Sequence, residues 1–146
     1  SDRGIGVSAI VHGDCQHGAH FMYGELGHVK LQEDTPCSCG QRGCLEAVVR
    51  ELFTQSRGRI TPQILEYLAI GVSTALNISD AQIAVLTGSY VEVMTAAQQS
   101  YLADLIRKKV TGQHLRSIQI SFLNNGKHLA LRGICANVFD CCYPVF

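Results

Sequence analysis

The stretch Gly24-Glu-Leu-Gly-His28, followed by Cys37-Ser-Cys-Gly-Gln-Arg-Gly-Cys44-Leu-Glu46, decides how this chain is read. It gathers one histidine and three cysteines, with Glu25 and Glu46 at its two ends. Thiolate and imidazole are the donors zinc prefers, four of them in a tetrahedron. The spacing Cys-x-Cys-x4-Cys is tighter than a common zinc-finger pair, and Gly40 and Gly43 give the backbone the freedom to bring three thiolates together. A lone cysteine would read as an ordinary thiol. Four ligand-type residues, His28, Cys37, Cys39 and Cys44, interspersed with glycine, predict a closed structural Zn2+ site within a loop spanning 28–46.

The 146 residues suffice for one domain with a hydrophobic core, and 47% of them are hydrophobic. Twelve basic and twelve acidic residues cancel, so this segment does not read as a nucleic-acid clamp, which needs a basic face. Arg107-Lys108-Lys109, the longest basic run, falls where a helix should end and complements its dipole. No run of 18 apolar residues predicts a membrane span, and the first residues lack the apolar core of a signal peptide. Seven cysteines, three of them crowded into one loop, argue for a reducing, cytoplasmic setting over a disulfide framework.

Outward from the cysteine loop, strands and helices interleave. Val7–Val11 reads as a short buried strand ending at the turn 12–14, residues 15–27 as loop, His28–Leu31 as another short strand, and 32–43 as loop. Leu45, Val48, Val49, Leu52 and Phe53 predict a helix from Cys44 to about Gln55, and 56–59 a break. Thr61 as N-cap and Pro62 at the first helical position predict a second helix to about Asn77. Ile83–Leu86 reads as a buried strand stopped by Gly88. A third helix is predicted from about Val91 to Val110 on the face of Met94, Ala97, Tyr101, Leu105 and Ile106. Ser117–Phe122 alternates as a strand, 124–126 turns, and Leu129–Phe139 predicts a last helix. Such interleaving predicts an α/β layered domain with ligands at the strand ends.

The chain resembles the ROK family, named for repressors, open reading frames and kinases. The resemblance lies in Gly4-Ile-Gly6-Val-Ser-Ala-Ile10, in Glu25-Leu-Gly-His28, and in Cys37 through Glu46, and continues more weakly at Leu86-Thr-Gly88-Ser89 and Arg132-Gly133-Ile-Cys-Ala136. It implies the C-terminal half of an actin-like (ribonuclease-H-like) ATPase fold, with residues 1–146 as a sugar-binding and oligomerisation domain. By the resemblance, Glu25, His28 and Glu46 bind a sugar's hydroxyls. Gly4, Gly6 and Gly88 correspond to phosphate- and nucleotide-contacting positions. The chemistry is reasonable in itself: carboxylates accept from hydroxyls, and a metal-tethered imidazole offers its second nitrogen.

Family kinases carry an Asp-Gly-Gly phosphate loop and an Asn-Asp pair, neither present in this sequence. Ile5 stands where they usually have Thr, Ser8 where they have Gly, and Ser89 replaces a second Gly after Gly88. A phosphate hydroxyl donor and close backbone approach are thereby lost, so weak ATP binding is expected. These departures favour the sugar-sensing effector domain of a ROK-type transcriptional regulator, with a sugar or amino-sugar effector and DNA bound through a region upstream. The alternative is the C-terminal part of an ATP-dependent sugar kinase, with ATP as its second substrate. A homo-oligomer is expected by the resemblance, and the apolar tail Cys141–Phe146 is a candidate interface. Cys15, Cys135, Cys141 and Cys142 read as buried small hydrophobes, and His12, His17, His20, His114 and His128 as surface or loop residues.

Overall fold

The structure, a computed structural model, describes residues 4–31, 34–112, 114, 117–124 and 126. The predicted last helix, Arg132–Ala136, and Cys135, Cys141 and Cys142 lie outside them.

Two strands open the chain, β1 (Ile10–Val11) and β2 (Asp14–Cys15), paired as an antiparallel hairpin across the His12-Gly13 turn. The predicted buried strand Val7–Val11 is therefore mostly irregular, and Ile10 is 75% exposed. Its upstream part is held by a loop instead of a ladder, with the Val7 N–H donating to the Gly24 carbonyl at 2.9 Å. Cys15 is half-buried beside the Ser8 hydroxyl, 3.4 Å away, rather than in the core. The predicted strand at His28–Leu31 is also replaced. Leu26–His28 forms a single 3-10 turn, and only Lys30 makes a bridge, antiparallel to Cys44.

Helix α1 (Leu45–Gln55) starts directly after Cys44 and buries Leu45, Val48, Val49 and Phe53, the i, i+3, i+4, i+8 stripe of an amphipathic helix. Helix α2 (Pro62–Ser79) begins as its sequence dictates: the Thr61 hydroxyl accepts from the Ile64 N–H at 3.3 Å and Pro62 fills the first position. It runs two residues past the expected Asn77. Asp80 ends it in the left-handed conformation, which a short polar side chain tolerates.

Strand β3 (Ile83–Thr87) pairs in parallel with β4 (Gln119–Leu123), Ile83 opposite Gln119 and Thr87 opposite Leu123. Between them the predicted single helix is divided into α3 (Ser89–Glu92) and α4 (Ala96–Lys109). The division is made by a capping box. The Thr95 hydroxyl accepts from the Gln98 N–H at 3.2 Å, and the Gln98 side chain accepts from the Thr95 N–H at 2.9 Å. The break rotates the buried face: Leu102, Leu105 and Ile106 are buried, whereas Ala97 and Tyr101 are exposed.

The core lies where α2 packs on α4, and Ala84, Leu86, Ile120 and Phe122, on one face of β3 and β4, pack against the same cluster. The other face is open among the described residues. Ile83 and Val85, expected to be buried, are therefore 59% and 56% exposed. Polar ties reinforce the core: Lys109 pairs with Glu66 at 2.9 Å, and the Gln98 amide donates to the Ile60 carbonyl at 2.9 Å. Among the described residues no helix is long and apolar enough to cross a membrane.

Candidate metal centre

Leu26 fixes the site to the core, since its side chain packs on the cluster that contains Leu45 and Ile64. On either side of it, Gly24 and Gly27 face the segment 4–7. A Cβ on Gly24 would stand 1.7 Å from the Val7 carbonyl oxygen, and one on Gly27 would stand 2.3 Å from that of Ile5. The two glycines of Gly24-Glu-Leu-Gly27 are thus needed for close approach of two backbones.

The cysteine loop is a compact hairpin. The Cys37 N–H donates to the Gln41 carbonyl at 2.8 Å, the Gly43 N–H to Thr35 at 2.7 Å, and the Leu31 N–H to Gly43 at 2.8 Å. Gly40 and Gly43 take φ of +85° and +75°, the freedom expected of them. Buried Thr35 donates its hydroxyl to Glu51 of α1 at 2.7 Å, which pins the loop to the helix. The Leu45 N–H donates to Val29 at 2.9 Å, joining the start of α1 to the residue after His28.

This folding brings the four predicted ligands together. One donor atom from each of His28, Cys37, Cys39 and Cys44 lies within 4.8 Å of every other. Cys39 Sγ is 3.7 Å from Cys44 Sγ, and Cys37 Sγ is 3.6 Å from His28 Nδ1. A tetrahedral ion with metal–sulfur bonds of about 2.3 Å and metal–nitrogen bonds of about 2.0–2.1 Å separates two sulfurs by about 3.8 Å and a sulfur and nitrogen by about 3.6 Å. The donor set and its edges fit a metal ion.

Electrostatics agree. The Cys37 thiol is held down at about 7, chiefly by the Cys39 backbone N–H, against the upward push of burial; the side chains of Cys39, Cys44 and His28 also lower it. Burial pushes Cys44 up to about 12, and the neighbouring Cys37 and Cys39 add to the rise. Cys44 thus resists ionisation beside its neighbours, and a divalent cation would offset that resistance.

The other predicted residues surround this centre. With Nδ1 turned to the thiols, His28 Nε2 faces Glu25 Oε2 at 3.5 Å, and the Glu25 side chain is 55% exposed. Glu46 sits in the first turn of α1, half-buried. Its Oε1 lies 3.8 Å from Cys37 Sγ, and its Oε2 accepts from the Ile5 N–H at 3.4 Å. Gly4 belongs to the same group, since a Cβ there would lie 3.6 Å from Glu46 Oε2. Gly6 follows it, facing the Gly24 carbonyl. Gly88 stands elsewhere, at the C-terminal end of β3 before α3, with Gly126 closely packed on it. A concavity of about 550 Å³ at the opposite ends of β3 and β4, lined by Asp80, Ile83, Ser117 and Gln119, contains none of these residues. The sequence reading missed the double contact of Glu46 and the approach of Ile5 to Gly27. The glycine spacing was the signal for the second; the first had none.

Residues 2–52 match the family model described as ROK family. A glucokinase of Halalkalibacterium halodurans is 31% identical over 87 residues, covering 53% of this chain and 26% of that protein. The xylose repressor of Bacillus subtilis is 25% identical over 162 aligned positions, covering 94% of this chain and 42% of the repressor. The chain therefore spans less than half the length of these relatives. The crystal structure of a ROK hexokinase from Thermus thermophilus superposes with a TM-score of 0.69 at 22% identity, covering 90% of this chain and 52% of that one. It shows an α/β fold of the actin- and hexokinase-like ATPase type. The relatives divide between kinases and a regulator and do not favour the regulator. The ROK family match thus covers residues 2–52, and the fold of a ROK hexokinase extends over most of the chain.

Proposed function

We propose that this chain is the sugar-recognising C-terminal part of a ROK-type sugar kinase, with zinc in its cysteine loop. The observation that carries it is the arrangement at His28: one ring nitrogen faces Cys37 of the three-thiol cluster and the other faces Glu25. A metal on Nδ1 fixes the ring and its tautomer, so Nε2 carries the proton and can donate it to a sugar oxygen. Glu25, exposed beside it, accepts a sugar hydroxyl. Glu46 keeps lone pairs for a second one, since a carboxylate offers about four acceptor positions. Neutral sugars need this kind of paired, oriented hydrogen bonding. The similarity to a glucokinase over 87 residues and to the hexokinase fold supports the kinase over the regulator favoured from sequence.

Three sulfurs and one nitrogen within 4.8 Å of one another, two of their separations at tetrahedral length, support zinc held by four protein ligands and therefore a structural ion. ATP would supply the phosphoryl group, and Gly4, Gly6 and Gly88 are the positions proposed to approach it. This chain's own residues bind and orient the sugar. The base for its hydroxyl is not assigned to any described residue.

The test is phosphotransfer by the full-length protein with ATP and glucose, xylose or N-acetylglucosamine. Phosphorylated sugar supports the kinase. A full-length protein that binds sugar without phosphotransfer, and releases DNA when it does, gives the second reading, a regulator's effector domain. That reading is favoured by the match to a xylose repressor along 94% of the chain. Any sugar-driven change in DNA affinity would then be bounded by the sugar's differential affinity for two states.

A further inference from the structure

Ile5 lies in the glycine segment, not in the metal loop, yet its peptide is gripped on both sides by neighbours of metal ligands. Its N–H donates to Glu46 Oε2 at 3.4 Å, and Glu46 stands two residues after Cys44. Its carbonyl is packed on Gly27 so closely that a Cβ there would be 2.3 Å from the oxygen, and Gly27 immediately precedes His28. The second oxygen of Glu46 reaches a third ligand, 3.8 Å from Cys37 Sγ. A Cβ on Gly27 would also stand 3.1 Å from Glu46 Oε2, so carboxylate, glycine and Ile5 peptide form one contact.

We infer that Glu46 and Gly27 are positioning residues that clamp the segment Gly4–Val7 to the metal loop, so that metal loading sets the order of that segment. The inference rests on the metal reading of the four-residue cluster but not on the sugar reading. His28 and Cys44 are the two ligands nearest in sequence to the clamp. Fixing both to one ion fixes the distance between the 3-10 turn that carries Gly27 and the first turn of α1 that carries Glu46. That distance is the opening into which the Ile5 peptide fits. The Leu45 N–H to Val29 bond, the Lys30–Cys44 bridge and the packing of Leu26 also join the two elements, and an ion would add a tie between His28 and Cys44 beside the opening. Glu46 therefore has a task on Ile5 in addition to its proposed contact with a hydroxyl.

The experiment is hydrogen exchange of peptides covering residues 4–9 in the full-length protein, with metal content measured on the same samples. Chelation of the wild-type protein should raise exchange in this segment roughly tenfold, the scale of one net hydrogen bond. Glu46→Ala should raise it as much while the metal is retained, and chelation should then add little. Glu46→Gln, which keeps an acceptor oxygen, should stay near wild type. Gly27→Ala provides the second route, opening the segment from the carbonyl side with Glu46 intact. Peptides from α2 serve as the control and should not change in the loaded variants. Wild-type exchange at 4–9 in loaded Glu46→Ala would overturn the clamp. Metal loss with no change at 4–9 in the wild type would overturn the coupling. A purified protein that binds no zinc would overturn the metal reading itself, separately from both.

Discussion

The loop from Thr35 to Cys44 and the helices α2 and α4 reach order by different means. In the helices, Ile64, Leu102 and Ile106 are fully buried and lie in one apolar cluster with Leu65 and Leu76. Removing such surface from water stabilises by about 1.5–3 kcal/mol for each large side chain, so this region holds itself by packing. Among the described residues, Cys37 and Cys44 of the loop form a small buried cluster with Ala47 of α1. Backbone bonds, glycine turns and three converging thiols shape the loop, and burial together with Cys37 and Cys39 disfavours ionisation of Cys44. On the proposed metal reading, order in the loop is conditional on an ion, whereas order in the helices is not. The proposed recognition residues sit on that part: Glu25, His28 and Glu46 all belong to or border the four-residue cluster.

That contrast can be broken in several ways. The largest effect is expected from Cys44→Ser, which removes a fully buried thiol of the proposed metal site. Metal per chain, measured by elemental analysis, should fall from about one to near zero, with a loss on the order of several kcal/mol at the loop, because metal binding is folding energy there. Helical circular dichroism should change little. Retention of metal by Cys44→Ser would show that the loop is not the binding site. Leu102→Ala makes the opposite change. A cavity at a fully buried core position should cost about 2–5 kcal/mol in denaturant unfolding while metal content stays the same. A fall in metal content would mean that loop and core are one cooperative unit.

Smaller effects sharpen the boundary. Gly27→Ala must displace the Ile5 carbonyl, a backbone atom, and should destabilise by about 1–3 kcal/mol, read as a lower melting temperature with metal retained. Thr95→Ala removes one half of the capping box that separates α3 from α4. It should cost about 1 kcal/mol and leave the loop untouched.

The sequence was most legible where local chemistry has few solutions. Thr61-Pro62 placed the start of α2, and Leu45 through Phe53 placed α1, because capping and the helical period act within a few residues. The clustering of His28, Cys37, Cys39 and Cys44 was legible because thiolate and imidazole in one short loop have few other uses. Residues 7–11 and 28–31 misled. Both are apolar enough for strands, but the pairing that makes a strand is non-local, and here it is replaced by the approach of Gly24 and Gly27. The third helix was overextended because its apolar period runs through Met94 while Thr95 and Gln98 cap a new start. Ile83 and Val85 looked like core, but which face the helices cover is set by tertiary packing, not by the strand. For Glu46, only the structure reveals two partners, since neither Ile5 nor Cys37 is a sequence neighbour.

X-ray absorption at the zinc edge on the purified full-length protein tests the central claim most directly. The account predicts three sulfur neighbours at about 2.3 Å and one nitrogen at about 2.0–2.1 Å, with no water in the shell. A shell dominated by oxygen, or one with fewer than three sulfurs, would contradict it.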